Sequence, residues 1–174
     1  VPSLINNMNL VTKIYFPREI LPIAAVAACF LDFLIAALVF VGMMVFYQVP
    51  LDISLLLLPL LIAIQIVLTL GIVLLASALM VFYRDIRFVI PLGLQLWLYA
   101  TPVIYPVSLV PERFRLFYML NPMAGLIDAY RSVVLLSQVP PVEHILLAGL
   151  ISCLLFLGAY GYFKRAEMTF ADVI

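Results

Sequence analysis

Long apolar runs joined by short polar turns set the plan of this chain. Residues 20–47, 53–82, about 88–107 and 141–163 each read as nearly continuous hydrophobic sequence. At a rise of 1.5 Å per residue, about 20 such residues cross a hydrocarbon core of about 30 Å, so each run predicts a membrane-spanning helix. A membrane β-strand would instead alternate over segments of about ten residues. The expected fold class is therefore an all-α polytopic membrane protein with four spans. The joints carry turn signals. Residues 48–52 hold Pro50, 83–87 form the charged sequence YRDIR, and Pro140-Pro141 with Glu143 open the last helix. An acid there suits the positive end of the helix dipole.

The stretch from Tyr83 to Arg131 breaks this regularity. Its span contains Pro91 and Pro102, together with Gln95, Trp97, Tyr99, Thr101 and Tyr105. An aromatic belt at the membrane interface accounts for Tyr105. Trp97 and Tyr99 lie nearer mid-helix, and two readings stand for them: belt residues, or ring faces lining a path for a sugar-bearing substrate. Two short helical segments follow. The first, about 111–120, sets Phe114, Phe117 and Tyr118 against Glu112, Arg113 and Arg115. In the second, Asn121-Pro122 reads as an N-cap followed by proline at the first helical position, opening 122–138 with Asp128 and Arg131 on one face. A helix of about 25 Å that carries two charges is short for a span, so the pair is expected to be re-entrant or interfacial.

The polar opening, residues 1–19, repeats Leu4, Ile5, Met8, Val11, Ile14 and Tyr15 at roughly helical spacing, and Pro17 then bends the chain ahead of the first run. An interfacial loop and a docking element for a cytoplasmic partner both fit this pattern. Asp32 lies inside the first span, and an ionisable group there is a functional candidate by default. A lone carboxylate makes a poor proton relay, however, so pairing with an Arg or a hydrogen bond between packed helices is the plainer role. In 53–82, Gln65, Thr69 and Ser77 are polar, and Thr69, Gly71, Ala76, Ser77 and Ala78 are small enough to let a neighbouring helix approach.

Composition sharpens the picture. Hydrophobic residues make up 67% of the 174 positions and charged ones 10%, with a mean hydropathy of +1.27. A soluble domain is roughly half apolar and a quarter charged. The net charge of zero gives no footprint for nucleic acid. Cys29 and Cys153 sit in apolar runs, where thiols behave as small hydrophobes. His144 is the single histidine and cannot build a metal site alone. No G-x-x-x-x-G-K-[ST], H-E-x-x-H or G-x-S-x-G pattern occurs, so no catalytic residue is assigned and the chain is not expected to be an enzyme. Energy, if used, comes from another polypeptide. The chain opens on Val1 without a signal-peptide pattern and is taken as a fragment lacking its N-terminal part.

Charge also bears on topology. With four spans, both ends share one side with Lys13, Arg18, Arg84, Arg87, Lys164 and Arg165, whereas Arg113, Arg115 and Arg131 fall opposite. That asymmetry predicts cytoplasmic termini by the positive-inside rule. It would vanish if 122–138 also crossed.

Several motifs now combine in order: K-x-Y-F-P-R-E-I-L-P at 13–22, Y-R-D-I-R at 83–87, A-T-P-V-I-Y-P at 100–106, then V-P-E-R-F-R, L-N-P-M and a tail R-A-E-x-T-F-A-D-V-I. The set resembles permease subunits of type-2 ABC exporters that move lipid-linked polysaccharides such as O-antigen, capsule or teichoic acid, and the likeness covers essentially the whole chain. It implies a six-span subunit, here without an interfacial helix and its first two spans, paired as a homodimer among the lipids of the bacterial inner membrane. It also implies two copies of a separate ABC ATPase that bind ATP and Mg, with no cofactor on this chain. Coupling to the ATPase would fall on Tyr15, Phe16, Pro17, Arg18 and Glu19, joined by Tyr83, Arg84, Asp85 and Arg87. The translocation path would involve Gln95, Trp97, Tyr99, Thr101, Pro102 and Tyr105. An external gate over 108–138 would include Glu112, Arg113, Asn121, Pro122, Asp128 and Arg131. Rival readings are a drug or small-lipid exporter of the same superfamily, a non-ABC channel, and an intramembrane enzyme.

Overall fold

The computed structural model describes residues 19–49, 52–83, 85–103, 118 and 120–168. Every regular element among them is helical. In chain order these are α1 (Ile20–Phe46), a 3-10 turn (Ile53–Leu57), α2 (Leu58–Phe82), α3 (Ile86–Ala100), α4 (Pro122–Val134) and α5 (Val142–Glu167). Three stretches are long and apolar enough to cross a membrane: Ile20–Phe46 of 27 residues, Ile53–Phe82 of 30, and Val142–Glu167 of 26. The chain is an all-α polytopic membrane protein.

The count of full-length spans among the described residues is three rather than the expected four. The helix within 88–107 starts two residues early and stops at Ala100, giving α3 only 15 residues, about 22 Å against a core of about 30 Å. The cause lies at its C-terminal end. A residue before proline is pushed out of the helical region, and Thr101, ahead of Pro102, is extended at φ −94°, ψ 136°. Its N–H and its hydroxyl both donate to the Trp97 carbonyl, at 2.9 and 2.7 Å, which closes the last turn. Residues 104–107 of that expected span, and most of the expected short helix at 111–120, lie outside the described residues.

Lipid tails are as apolar as leucine, so helices in a bilayer associate through close packing rather than a hydrophobic drive. Small residues on α2 and α5 supply that closeness. The two helices run side by side in the same direction and share the largest interface of the fold. At Gly71 a Cβ would stand 2.6 Å from Leu155 Cδ2 and 3.0 Å from the Phe156 backbone, so any larger residue forces these neighbours to shift. Two clusters fill the seam. At one end Leu74, Ala78 and Val81 meet Ala159, Phe163 and Ala166, with Leu21 of α1 against them. At the other end Leu61 and Leu68 meet Ala148 and the buried face of α4, formed by Leu126, Ala129 and Val133.

α1 and α3 both pack chiefly on α2, leaving broad apolar surfaces such as Leu31, Ile35 and Leu38 on α1 and Leu92 and Leu96 on α3. α1 ends in a left-handed turn, with Gln48 at φ 53° and the Val49 N–H returning to the Met44 carbonyl at 3.0 Å.

Candidate functional site

One side chain fastens the short helix α4 to the broken end of α3. Asn121 is extended and caps α4, its Oδ1 accepting the Met123 N–H at 3.1 Å with Pro122 in the first turn. The same oxygen accepts the Trp97 indole N–H at 3.0 Å. Asn121 Nδ2 donates to Thr101 Oγ1, also at 3.0 Å. The amide orientation follows from this network, since one side meets two N–H donors and the other a hydroxyl. The ring closes through the Thr101 hydroxyl and the Trp97 carbonyl. Thr101 and Pro102 are buried beneath it. In apolar surroundings an unpaired indole or amide group is costly, so these groups hold one another in place.

α4 makes four further polar contacts. Arg131 donates from a guanidinium nitrogen to the Val103 carbonyl at 3.2 Å, a second hold on the chain leaving α3. Asp128 Oδ2 lies 3.5 Å from Nδ1 of His144 in the first turn of α5. Tyr130 donates its hydroxyl to Gln65 Oε1 of α2 at 2.9 Å, and burial pushes the phenol up to about 12, keeping it a neutral donor. The Ser54 hydroxyl of the 3-10 turn reaches the Val133 carbonyl at 3.4 Å.

The opposite end of the molecule carries an ionic cluster. Lys164, in the last turn of α5, places its Nζ 2.7 Å from Glu19 Oε2 and 3.1 Å from Glu167 Oε2. Glu19 sits at the N-cap of α1, where its charge also favours the helix dipole. Tyr83, Asp85 and Arg87 are exposed at this same end, and the Arg87 guanidinium lies 4.6 Å from the centre of the Phe88 ring.

An apolar cleft of about 330 Å³ opens between α2, α3 and α4, bordered by Thr69, Ile72, Leu94, Trp97, Thr101 and Met123. A smaller one of about 140 Å³ lies between α1 and α2 beside Cys29, Phe33, Gln65 and Thr69.

Of the six residues expected to line a path, the three on α3 do not share one face. At 100° per residue, Gln95 and Tyr99 are about 40° apart and Trp97 lies nearly opposite. Gln95 and Tyr99 are exposed, whereas Trp97 turns towards the cleft and Thr101 and Pro102 are buried. Asn121, Pro122, Asp128 and Arg131 do come together on α4. Asp128 meets His144 of α5 whereas Arg131 reaches the Val103 carbonyl, so the two serve different neighbours despite sharing a helix. Asp32 is exposed on α1 and has no hydrogen bond or ion pair among the described residues, so the partner expected for it is not found there. Tyr15, Phe16, Pro17, Arg18, Arg84, Tyr105, Glu112 and Arg113 lie outside the described residues. Four contributors escape a reading of the sequence. These are His144, Lys164, Gln65 and Tyr130. Their partners are remote in the chain, 65 residues away for Gln65 and Tyr130, so no spacing signals them.

With this geometry in place, comparison with known proteins decides the family. Residues 3–135 match the family described as ABC-2 type transporter. The chain belongs to that family. The matched stretch runs from the polar opening through α4, so the ABC-2 assignment takes in both the coupling candidates and the Asn121 knot. Over its whole length the chain is also similar to proteins named O-antigen export system permease protein RfbA. The one from Myxococcus xanthus is 30% identical over 95% of this chain and 65% of its own length. One from Klebsiella pneumoniae is 28% identical over 99% of this chain and 66% of its own length. The chain thus spans just under two thirds of the curated ABC-2 relatives it matches.

Proposed function

We propose that this ABC-2 chain is the membrane part of an ATP-driven exporter of lipid-linked polysaccharide of the O-antigen type, working in the bacterial inner membrane. The observation that carries the proposal is the likeness, over 95 and 99% of the chain, to relatives named as O-antigen export permeases. A separate ABC ATPase binds ATP and Mg, and two copies of the permease enclose the path. The ATPase docks on the cytoplasmic side against Tyr15, Phe16, Pro17, Arg18 and Glu19, with Tyr83, Arg84, Asp85 and Arg87 beside them. The bias of basic residues towards this side supports the orientation and a cytoplasmic C-terminus.

On this reading α4 belongs to the outer gate, with Asn121, Pro122, Asp128 and Arg131 tying it down. The polymer passes the face of α3 that carries Gln95 and Tyr99, and Tyr105 extends it. Tyrosine rings offer sugar faces apolar contact with a polar edge, which suits a repetitive cargo in motion. Trp97 takes a supporting part, because its indole N–H is engaged by Asn121.

The test uses the full-length permease with its cognate P-loop ATPase in proteoliposomes. ATP-dependent movement of a lipid-linked glycan is expected; transport of drugs or small lipids in its place would overturn the substrate class. Arg18→Glu is expected to insert normally yet lose co-purification with the ATPase, and intact co-purification would remove Arg18 from the docking set.

A further inference from the structure

We infer that Lys164 is the positioning residue through which motion of the segment preceding α1 reaches α5, and through α5 the outer helix α4. The inference rests on the proposed ATP-driven function but concerns a residue that the function does not itself use. Lys164 stands between two carboxylates, Glu19 at 2.7 Å and Glu167 at 3.1 Å. Glu167 lies on the same helix, so its pairing with Lys164 is internal to α5. Glu19 is different, because it ends the segment assigned to ATPase docking and is also the first residue to enter α1.

The packing explains why this contact matters. α1 and α5 share no extended interface, since α1 packs mainly on α2. Where they meet, Leu21 rests against the cluster of Leu74, Ala159 and Phe163, and the Glu19–Lys164 pair lies alongside. An apolar contact such as that of Leu21 resists compression but slides. An ion pair resists separation as well as compression, and so transmits a pull.

α5 is suited to carry that pull. It is one uninterrupted helix of 26 residues, about 39 Å long. Along its length it is locked to α2 by the Gly71 contact and both clusters. Its far end meets α4 directly: a Cβ on Gly125 would come within 3.3 Å of the His144 carbonyl, and Asp128 pairs with the His144 ring. One rigid helix therefore has an ionic contact with the coupling segment at one end and a close contact with α4 at the other.

Lys164 is 41% exposed in its side chain, and a partly exposed ion pair contributes little to stability. Its removal should leave the fold intact and act on coupling. The experiment uses the full-length permease with its ATPase in a cysteine-depleted background. Spin labels at Tyr47→Cys and Val139→Cys, both exposed at the end away from Lys164, report the separation of α1 from the α4–α5 junction. The wild-type distance should change on adding a non-hydrolysed ATP analogue. Lys164→Met should keep ATPase co-purification and thermal stability, lose that change, and lower export about five-fold or more, the lower end of site-to-site coupling. Lys164→Arg should restore both. In a Glu19→Gln background, Lys164→Met should add no further defect. A nucleotide response that is equal in Lys164→Met and wild type would overturn the inference, as would a wild-type distance that ignores nucleotide, or a full additional defect on Glu19→Gln. If the distance responds and depends on Lys164 while no glycan is moved, the substrate reading fails and the coupling role stands.

Discussion

Asn121→Ala is the perturbation that most directly tests how α3 and α4 are joined. The substitution removes three hydrogen bonds made by one amide: the cap on Met123, the acceptor for the Trp97 indole and the donor to Thr101. Loss of an asparagine cap costs about 1 kcal/mol. A stranded indole N–H costs about 1–3 kcal/mol in a soluble core, but interhelical polar contacts in membranes average only about 0.6 kcal/mol, so about 1 kcal/mol is the fitting value. Thr101 keeps its bond to the Trp97 carbonyl, and its lost acceptance adds little. The sum is about 2 kcal/mol, which at about 2–4 °C per kcal/mol for a chain of this size lowers the apparent Tm by about 4–8 °C. Trp97→Phe spares the cap and should cost about 1 kcal/mol or less. Because the two changes remove a shared bond, the double variant should fall short of the sum by about 0.5–1 kcal/mol. Thermal unfolding of the four proteins in one detergent measures the cycle. An Asn121→Ala protein within about 1 °C of wild type, or strictly additive effects, would refute the knot as a mechanical joint.

Two further outcomes follow from the backbone. Gly71→Ala places a Cβ 2.6 Å from Leu155 and 3.0 Å from the Phe156 backbone, so it should cost about 1–3 kcal/mol and reduce folded yield. Gly93→Ala meets nothing within 4 Å and should be neutral or gain up to about 1 kcal/mol in helix propensity; equal thermal shifts for the two would count against the tight seam. Gln48→Gly should raise the apparent Tm slightly, since a non-glycine residue at φ 53° costs about 1–2 kcal/mol and glycine returns roughly half of that in lost entropy.

The long helices were legible because a bilayer imposes a simple rule: about 20 apolar residues in a row must be helical to satisfy their own backbone. The cap at Asn121 was legible for a similarly local reason, the pairing of a short polar side chain with a following proline. The early end of α3 was not legible from hydrophobicity counted past Thr101. Apolar residues continue beyond it, yet Pro102 forces Thr101 out of the helix whatever the composition. The faces of the path candidates were not read from the sequence, since Gln95, Trp97 and Tyr99 are neighbours in sequence but alternate around the helix. The contacts that organise the site, Trp97 with Asn121, Tyr130 with Gln65 and Glu19 with Lys164, are products of tertiary packing. Local periodicity carries no record of them.

These contacts differ in kind, and the difference says which parts move together. α4 buries Leu126, Ala129 and Val133 at 1% exposure each against α2 and α5, so separating it from them would open voids along its whole length. Its hold on α3 is made instead of the Asn121 bonds and the Arg131 contact to Val103, each of a strength that membranes keep modest. α3 itself has no fully buried residue and faces α4 across the cleft of about 330 Å³. A loosely held boundary in the described molecule therefore runs along α3, and α2, α4 and α5 form the body against which it shifts. A pull applied at Lys164 acts on that body. On the proposed reading of coupling and gating, its first effect beyond that body is strain on the Asn121 knot.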